Sequence, residues 1–219
     1  MFKIGLIDDD PREIRKVKRT IKVNAPKNTP FDFKIYDIGE NINELIKSLT
    51  DKIIEDIKKN EISSLIIDYK IMIEATKIEG TDIFDEIHDL VPEFPVIILT
   101  DVIEDCIKHD FIDPDKVYKK SSYFKLENDY SIDKTKNIFR NMERYLMRRD
   151  ILQSKLESAK KELVEKGNEQ EIFDELIEIE NKLDDFVPID QSEIEKAIDS
   201  KRLKEVVDLL EQADKILEK

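Results

Sequence analysis

The stretch Leu65-Ile66-Ile67-Asp68 is a short apolar run that ends on an acidic residue. Such a run, with no polar residue at alternate positions, is typical of a strand buried on both faces of a parallel sheet. Three further runs also end on polar residues: residues 4–7 before Asp8 and Asp9, residues 96–99 before Thr100, and residues 117–118 before Lys119 and Lys120. Because the carboxyl ends of parallel strands lie at one edge of an open α/β sheet, we expect these polar side chains to lie close together.

Strand and helix patterns alternate through the first 128 residues. A helix is predicted after the first strand, because Pro11 suits a first helical position and Ile14, Val17 and Ile21 recur at helical spacing. Four more strands follow, separated by helical patterns, and the stretch between residues 69 and 80 is expected to be a long connection. This order predicts an α/β fold with a doubly wound, five-stranded parallel sheet over residues 1–128.

Residues 129–219 are predicted to form an all-α helical region: a long helix, an antiparallel hairpin, and a C-terminal helix or helix pair. The long helix has apolar residues every 3.5 positions on average, with one charged interruption, which favours a coiled-coil seam or packing against a partner helix. These positions are Ile138, Met142, Tyr145, Arg149, Leu152, Leu156, Ala159 and Leu163. Gly167-Asn168 is expected to end this helix, and Ser192 with Glu195 has capping-box spacing for the last one.

Charge and composition exclude several classes of function. The net charge is −14, and residues 150–219 carry 21 acids against 11 bases, so the C-terminal region would repel phosphate backbones and nucleic acid is not an expected partner. No apolar run approaches the roughly 20 residues that span a bilayer, and the N-terminus does not resemble a signal peptide. The single cysteine, Cys106, cannot form an internal disulfide. We therefore expect a cytoplasmic protein without membrane contacts.

The polar groups at the predicted sheet edge suit phosphate chemistry. Asp8, Asp9 and Asp68 would repel one another unless a cation neutralised them, and Mg²⁺ prefers such oxygen ligands. With the charge balanced, the Asp68 carboxylate can act as a nucleophile toward phosphorus and form an acyl phosphate. Lys120 would neutralise the added charge, and the Thr100 hydroxyl would donate a hydrogen bond to a phosphoryl oxygen.

These segments resemble the receiver domain of bacterial response regulators, over roughly residues 1–128. The matching motifs are Leu6-Ile7-Asp8-Asp9-Asp10-Pro11, Leu65-Ile66-Ile67-Asp68, Pro95-Val96-Ile97-Ile98-Leu99-Thr100 and Tyr118-Lys119-Lys120. The resemblance implies that Asp68 accepts a phosphoryl group from a histidine kinase or phosphotransfer protein. It further implies that Asp8, Asp9 and the backbone carbonyl of Lys70 hold Mg²⁺ with Asp68. By the same resemblance Thr100 and Lys120 would carry the conformational switch.

Three features depart from the family pattern. Asp101 stands where a small residue normally admits the phosphodonor, so it would add bulk and negative charge at the pocket mouth. The connection after Asp68 is longer than usual and lacks the familiar proline, although Gly80 stands where the family has a glycine. Ser121 replaces the proline that usually follows the lysine. A shift of one residue would make Lys119, rather than Lys120, the active-site lysine.

Three functions compete on this evidence. The first is a phosphorelay response regulator, not an enzyme, in which phosphorylation of Asp68 changes dimerisation or partner binding by the C-terminal helices. The second is a pseudo-receiver scaffold that binds proteins constitutively without phosphorylation, as Asp101 and the altered connection suggest. The third is a phosphatase of the haloacid dehalogenase type, with Asp8 and Asp10 as nucleophile and acid/base; Arg12, where that pattern has Thr or Val, argues against it. Arg140, Arg144 and Arg148 form a basic stripe that suits an acidic partner or pairing within the chain.

Overall fold

The computed structural model describes residues 1–38, 42–73, 76–109, 112–166 and 170–188. The strands are β1 (Phe2–Ile7), β2 (Phe31–Ile35), β3 (Ser64–Asp68), β4 (Lys70–Ile73), β5 (Thr76–Glu79), β6 (Val96–Thr100) and β7 (Val117–Lys119). The helices are α1 (Pro11–Asn24), α2 (Ile42–Lys58), α3 (Gly80–Leu90), α4 (Ile103–Cys106), α5 (Lys120–Tyr123), α6 (Asp129–Lys166) and α7 (Gln170–Asp184). The 3₁₀ turn Pro114–Lys116 precedes β7.

Residues Met1–Pro188 form one compact unit. The predicted helix stop at residues 167–168, the capping box at residues 192–195 and the C-terminal helix or helix pair lie outside the described residues. The functional division at residue 128 stays a prediction. Within the described ranges, no helix is long and apolar enough to cross a membrane.

Five strands form one parallel sheet in the order β2-β1-β3-β6-β7. The central strand is β3, where Ile66 pairs with Leu6 of β1 and with Ile97 of β6. From β1 the chain goes to β2 at one edge of the sheet. From β3 it goes through β6 to β7 at the opposite edge. Ligands of open α/β sheets bind where that direction reverses, at the carboxyl ends of the strands. The predicted α/β class and five-stranded parallel sheet are confirmed.

Helices cover both faces of the sheet. On one face, α1 and α6 pack against alternate strand residues in a single apolar cluster. The cluster contains Ile4, Leu6, Ile14, Val17, Ile21, Ile66, Ile97, Leu99, Tyr118, Tyr123, Ile138, Phe139 and Met142. On the other face, α3 contacts β3 and β6, and α2 packs beside it. Ile67 and Ile98, which alternate with the cluster residues, are completely buried there.

The long connection predicted after Asp68 is present, and it contains a β-hairpin that was not predicted. Strand β4 pairs with β5 in antiparallel orientation, and Ile71 lies opposite Ile78. Both isoleucines are buried, which gives the hairpin an inward-facing apolar side. Tyr69 alone separates β3 from the hairpin, and α3 begins directly after β5.

Helix α6 runs from the sheet into a helical hairpin with α7. Its predicted seam is buried at most positions, including Tyr145, Leu156 and Ala159. The start of the seam, Ile138 and Met142, packs on the sheet, and α7 packs along α6. The Tyr145 hydroxyl donates a hydrogen bond to the backbone oxygen of Phe186 at 2.8 Å. This contact joins the middle of α6 to the end of α7, so the two helices are antiparallel as predicted. Arg149, the charged interruption of the seam, is also buried, with its guanidinium 5.7 Å from the Tyr145 ring centroid.

Candidate functional site

Three carboxylates meet at the carboxyl edge of β1 and β3. Oxygen atoms of Asp8, Asp9 and Asp68 lie within 4.8 Å of one another. Asp8 and Asp9 directly follow β1, and Asp68 is the last residue of the neighbouring strand β3, so the parallel pairing places them side by side. The three oxygens match the donor set that a hard divalent cation such as Mg²⁺ requires. The predicted acidic cluster is therefore present and could hold a metal ion.

Asp8 and Asp68 are largely withdrawn from solvent, with 6% and 11% of their side chains exposed. Burial raises the pKa of Asp8 to about 6, although the backbone N–H of Asp10 donates a hydrogen bond to it at 2.8 Å. Burial also raises the pKa of Asp68, and the hydrogen bond from Lys120 only partly offsets this effect. The site thus carries more negative charge than its own residues neutralise, which is the condition that favours a bound cation.

Lys120 is the lysine that enters the site. Its ammonium lies 2.8 Å from Asp68, 3.4 Å from Asp8 and 3.9 Å from Glu13. Burial alone would lower the pKa of Lys120, but the hydrogen bond to Asp68 and the charges of the other two carboxylates raise it. Lys119 is exposed, and its backbone N–H donates to the Tyr130 hydroxyl instead.

Thr100 lies on the strand next to Asp68, because Asp68 pairs with Leu99 across β3 and β6. The threonine is buried, and its hydroxyl oxygen accepts a hydrogen bond from the backbone N–H of Val102 at 3.0 Å. A hydroxyl that accepts one such bond still has its own hydrogen to donate. The threonine therefore offers a donor at the same edge of the sheet.

Asp101 turns its carboxylate toward the start of α5. The backbone N–H of Ser121 donates a hydrogen bond to it at 2.8 Å. Partial burial acts against ionisation, but the hydrogen bonds from Ser121 and the charges of Lys119 and Lys120 hold the pKa of Asp101 below its usual range. Asp101 also lines a cavity of about 510 Å³ with Lys120 and Ser121. The Asp101 carboxylate is therefore held at the start of α5, beside Lys120, and its place at the mouth of the Asp68 site stays a prediction.

The start of the β4–β5 hairpin forms one wall of the site. The backbone N–H of Lys70 donates a hydrogen bond to the Asp68 carboxylate. Coordination of a metal by the Lys70 carbonyl stays a prediction.

Gly80 closes the hairpin against the backbone of Asp68. Its N–H donates to the oxygen of Tyr69 at 2.7 Å. A Cβ at position 80 would lie 2.1 Å from the backbone oxygen of Asp68 and 2.8 Å from a methyl carbon of Ile67. Only glycine fits this approach.

One residue near the site was not anticipated from the sequence. Glu13, in the first turn of α1, brings a fourth carboxylate to within 3.9 Å of the Lys120 ammonium. The available signal was its position two residues after Pro11, since the first turn of a helix that follows β1 lies beside the carboxyl edge of the sheet.

Asp10 does not join the cluster. Its carboxylate caps α1 by accepting hydrogen bonds from the backbone and guanidinium of Arg12, at 2.8 to 3.1 Å. These bonds lower the pKa of Asp10 to about 2, so it is ionised throughout the neutral range. A general acid needs a pKa near the working pH, so this environment does not favour the phosphatase interpretation.

Comparison of the sequence with protein-family models gave no match, and neither did comparison with the curated proteins.

Proposed function

We propose that this chain is a response regulator whose Asp68 accepts a phosphoryl group in the presence of Mg²⁺. The observation that supports this most directly is the position of Asp68, which lies between two further carboxylates and an ammonium at 2.8 Å. A nucleophilic carboxylate needs a cation to offset the negative charge of the phosphodonor, and a second positive group to receive the transferred phosphoryl oxygens. In this proposal the chain is a switch that is itself modified, not an enzyme acting on other substrates.

The phosphodonor is a histidine kinase or a phosphotransfer protein. One oxygen of Asp68 forms a bond to phosphorus, and the bond from phosphorus to the donor's imidazole nitrogen breaks. That nitrogen keeps the electron pair and takes a proton from solvent. When bound, Mg²⁺ supplies positive charge that draws the phosphoryl oxygens toward the acidic cluster. Asp8 and Asp9 hold the cation, and the Lys70 carbonyl is the further ligand.

Two residues respond to the new charge. The Lys120 ammonium exchanges its carboxylate partner for a phosphoryl oxygen, and Thr100 donates its hydroxyl hydrogen to another. The Thr100 hydroxyl accepts a hydrogen bond from the backbone N–H of Val102, the residue before α4. Lys120 begins α5, a few residues before α6. A rearrangement at these positions would therefore reach the helical hairpin, which we propose to be the output that binds a protein partner in the cytoplasm.

The test is to incubate the full chain with Mg²⁺ and acetyl phosphate and to measure its intact mass. We expect the mass gain of one phosphoryl group, which hydroxylamine removes because it cleaves acyl phosphates. Asp68→Ala is expected to abolish the adduct. Asp10→Asn is the matched control: it removes a neighbouring carboxylate outside the cluster, and asparagine caps a helix as well as aspartate does. An unmodified wild-type chain, or an adduct that survives in Asp68→Ala, would refute the assignment.

A pseudo-receiver scaffold is the second candidate, and the position of Asp101 favours it. Asp101 lines a cavity together with Lys120, the lysine that contacts Asp68, and a negative charge beside this lysine would oppose an incoming phosphodonor. Asp101→Ala is expected to speed phosphorylation if the charge only slows it. No adduct in either wild type or Asp101→Ala, with partner binding unchanged in Asp68→Ala, would select the scaffold.

A further inference from the structure

Helix α6 carries a second stripe that the described part of the chain leaves exposed. We call Met147, Ile151, Ser154 and Ser158 the outer stripe; they follow one another at spacings of four, three and four residues. Met147 and Ile151 are 54% and 48% exposed, and all four residues line a groove of about 780 Å³. The Ser158 hydroxyl donates to the backbone oxygen of Ser154 at 2.9 Å, so that hydroxyl is already satisfied within the helix. The stripe therefore offers two large apolar side chains beside two small residues.

The spacing of the outer stripe is that of the contact positions of a two-stranded coiled coil. With Ile151 and Ser158 at position a of the heptad, Met147 and Ser154 fall at position d. This seam is distinct from the buried one that faces α7. It begins beyond Met142, the last residue of α6 in the core cluster, so a partner on the stripe does not displace the packing on the sheet.

The charges beside the outer stripe specify the orientation of a partner helix. In the same heptad, Glu143, Asp150 and Glu157 occupy position g, and Arg148 and Lys155 occupy position e. In a parallel pair each g residue faces the e residue five positions later on the other helix. In an antiparallel pair g faces g, which would place acids against acids.

We propose that two copies of this chain pair in parallel through the outer stripe of α6. Asp150 of each copy then faces Lys155 of the second copy, and Glu143 faces Arg148 of the second copy. Arg148 is already paired with Glu93 of its own chain at 3.2 Å, whereas Asp150 has only the longer contact of 3.6 Å with Arg149, so the pair of Asp150 with Lys155 is the better test. Glu157 would face Glu162 of the second copy, a repulsive contact that ends the pairing near Ser158. This inference goes beyond the proposed function and uses no contact of Asp68.

The first experiment measures the mass of the full chain in solution by size-exclusion chromatography with light scattering over a range of concentrations. We expect a dimer, and we expect Asp150→Lys or Lys155→Asp to raise its dissociation constant about tenfold, because two ion pairs become two repulsions. The double variant is expected to restore the wild-type value. Gln153→Lys, an exposed change on another face of α6, is the control for added charge.

The double variant keeps the test independent of folding, since a misfolded chain would not regain its dimer when a second charge is reversed. A monomer at every concentration, or a double variant no better than the single ones, would overturn the proposal. Asp68→Ala is expected to dimerise like the wild type. Failure of phosphorylation and failure of this pairing are therefore separate results.

A second experiment tests the parallel register. Ser154→Cys places thiols at position d of both copies, where a parallel pair brings them together, and oxidation is expected to cross-link the chains. Gln153→Cys, one residue away on another face, is expected to stay uncross-linked. The natural Cys106 is completely buried and does not contribute under native conditions. Equal cross-linking at both positions would overturn the register.

Discussion

Replacing Asp8 by asparagine is expected to stabilise the fold at neutral pH. Burial raises the pKa of Asp8 from 3.8 to about 6, and a difference of about 2 units corresponds to about 3 kcal/mol. Asparagine has no charge to desolvate, and it keeps the oxygen that accepts the Asp10 N–H at 2.8 Å. Lys120 loses a carboxylate at 3.4 Å but keeps Asp68 at 2.8 Å. The raised pKa already includes the attraction of Lys120, and an asparagine amide does not reproduce the protonated carboxyl fully, so we expect a net gain of about 1 to 2 kcal/mol in the free energy of unfolding.

The sign of the pH dependence follows from the raised pKa. The folded chain binds the Asp8 proton more tightly than the unfolded chain, so this group contributes most to stability below about pH 4. The contribution is lost as the pH rises to about 6, where the folded group ionises. Below about pH 4, position 8 should therefore contribute similarly to the free energy of unfolding of the variant and of the wild type. Above about pH 6 the difference between their free energies of unfolding should reach its full size.

Urea unfolding followed by circular dichroism, at about pH 4.5 and about pH 8 with and without Mg²⁺, measures both effects. Mg²⁺ should stabilise the wild type more than Asp8→Asn, because the cation binds the folded cluster. Asp10→Asn is a control of opposite sign, since its pKa is lowered by Arg12 and its ionised form stabilises the fold. A variant less stable than the wild type by the same amount at both pH values would refute the reasoning.

Three further changes have defined outcomes. Gly80→Ala is expected to destabilise the fold by about 1–3 kcal/mol in urea unfolding, because its Cβ would lie 2.1 Å from the backbone oxygen of Asp68; an unchanged midpoint would contradict this contact. Tyr145→Phe should cost about 1–2 kcal/mol and speed amide exchange at the end of α7, since the buried carbonyl of Phe186 loses its donor; normal exchange there would argue against the hydrogen bond. Asp56→Ala should lower the free energy of unfolding by about 3 kcal/mol in thermal unfolding, because Asp56 accepts hydrogen bonds from the Lys34 ammonium and the Tyr36 hydroxyl, both at 2.7 Å. A loss under about 1 kcal/mol would show that the ion pair of Lys34 and Asp56 is solvated.

The sheet and its acidic edge could be predicted because buried parallel strands have a strong signal. Ile66 and its neighbours are apolar on both sides, and the polar residue that follows marks the strand end. The order of strands along the chain then brings Asp8 and Asp68 together without any knowledge of distances. The choice between Lys119 and Lys120 could not be made in the same way, because a shift of one residue in a three-residue strand reverses which side chain faces the site.

The β4–β5 hairpin was missed for a local reason. The sequence between the two strands contains no glycine, proline or asparagine, the residues that ordinarily indicate a tight turn. Glu13 was missed because a single acid in the first turn of a helix has no pattern of its own. Its role depends on the reach of Lys120 across the edge of the sheet, a tertiary distance.

Helix α6 is a single continuous helix of 38 residues, about 57 Å long at 1.5 Å per residue. Its first part packs on the sheet up to Met142, and Tyr145 and Arg148 extend this anchor by contacting Phe94 and Glu93. The last 18 residues form an arm about 27 Å long, so a tilt of about 5° at the anchored part would displace its far end by about 2 Å. A small adjustment at the anchor would thus become a larger displacement at the far end of the helix.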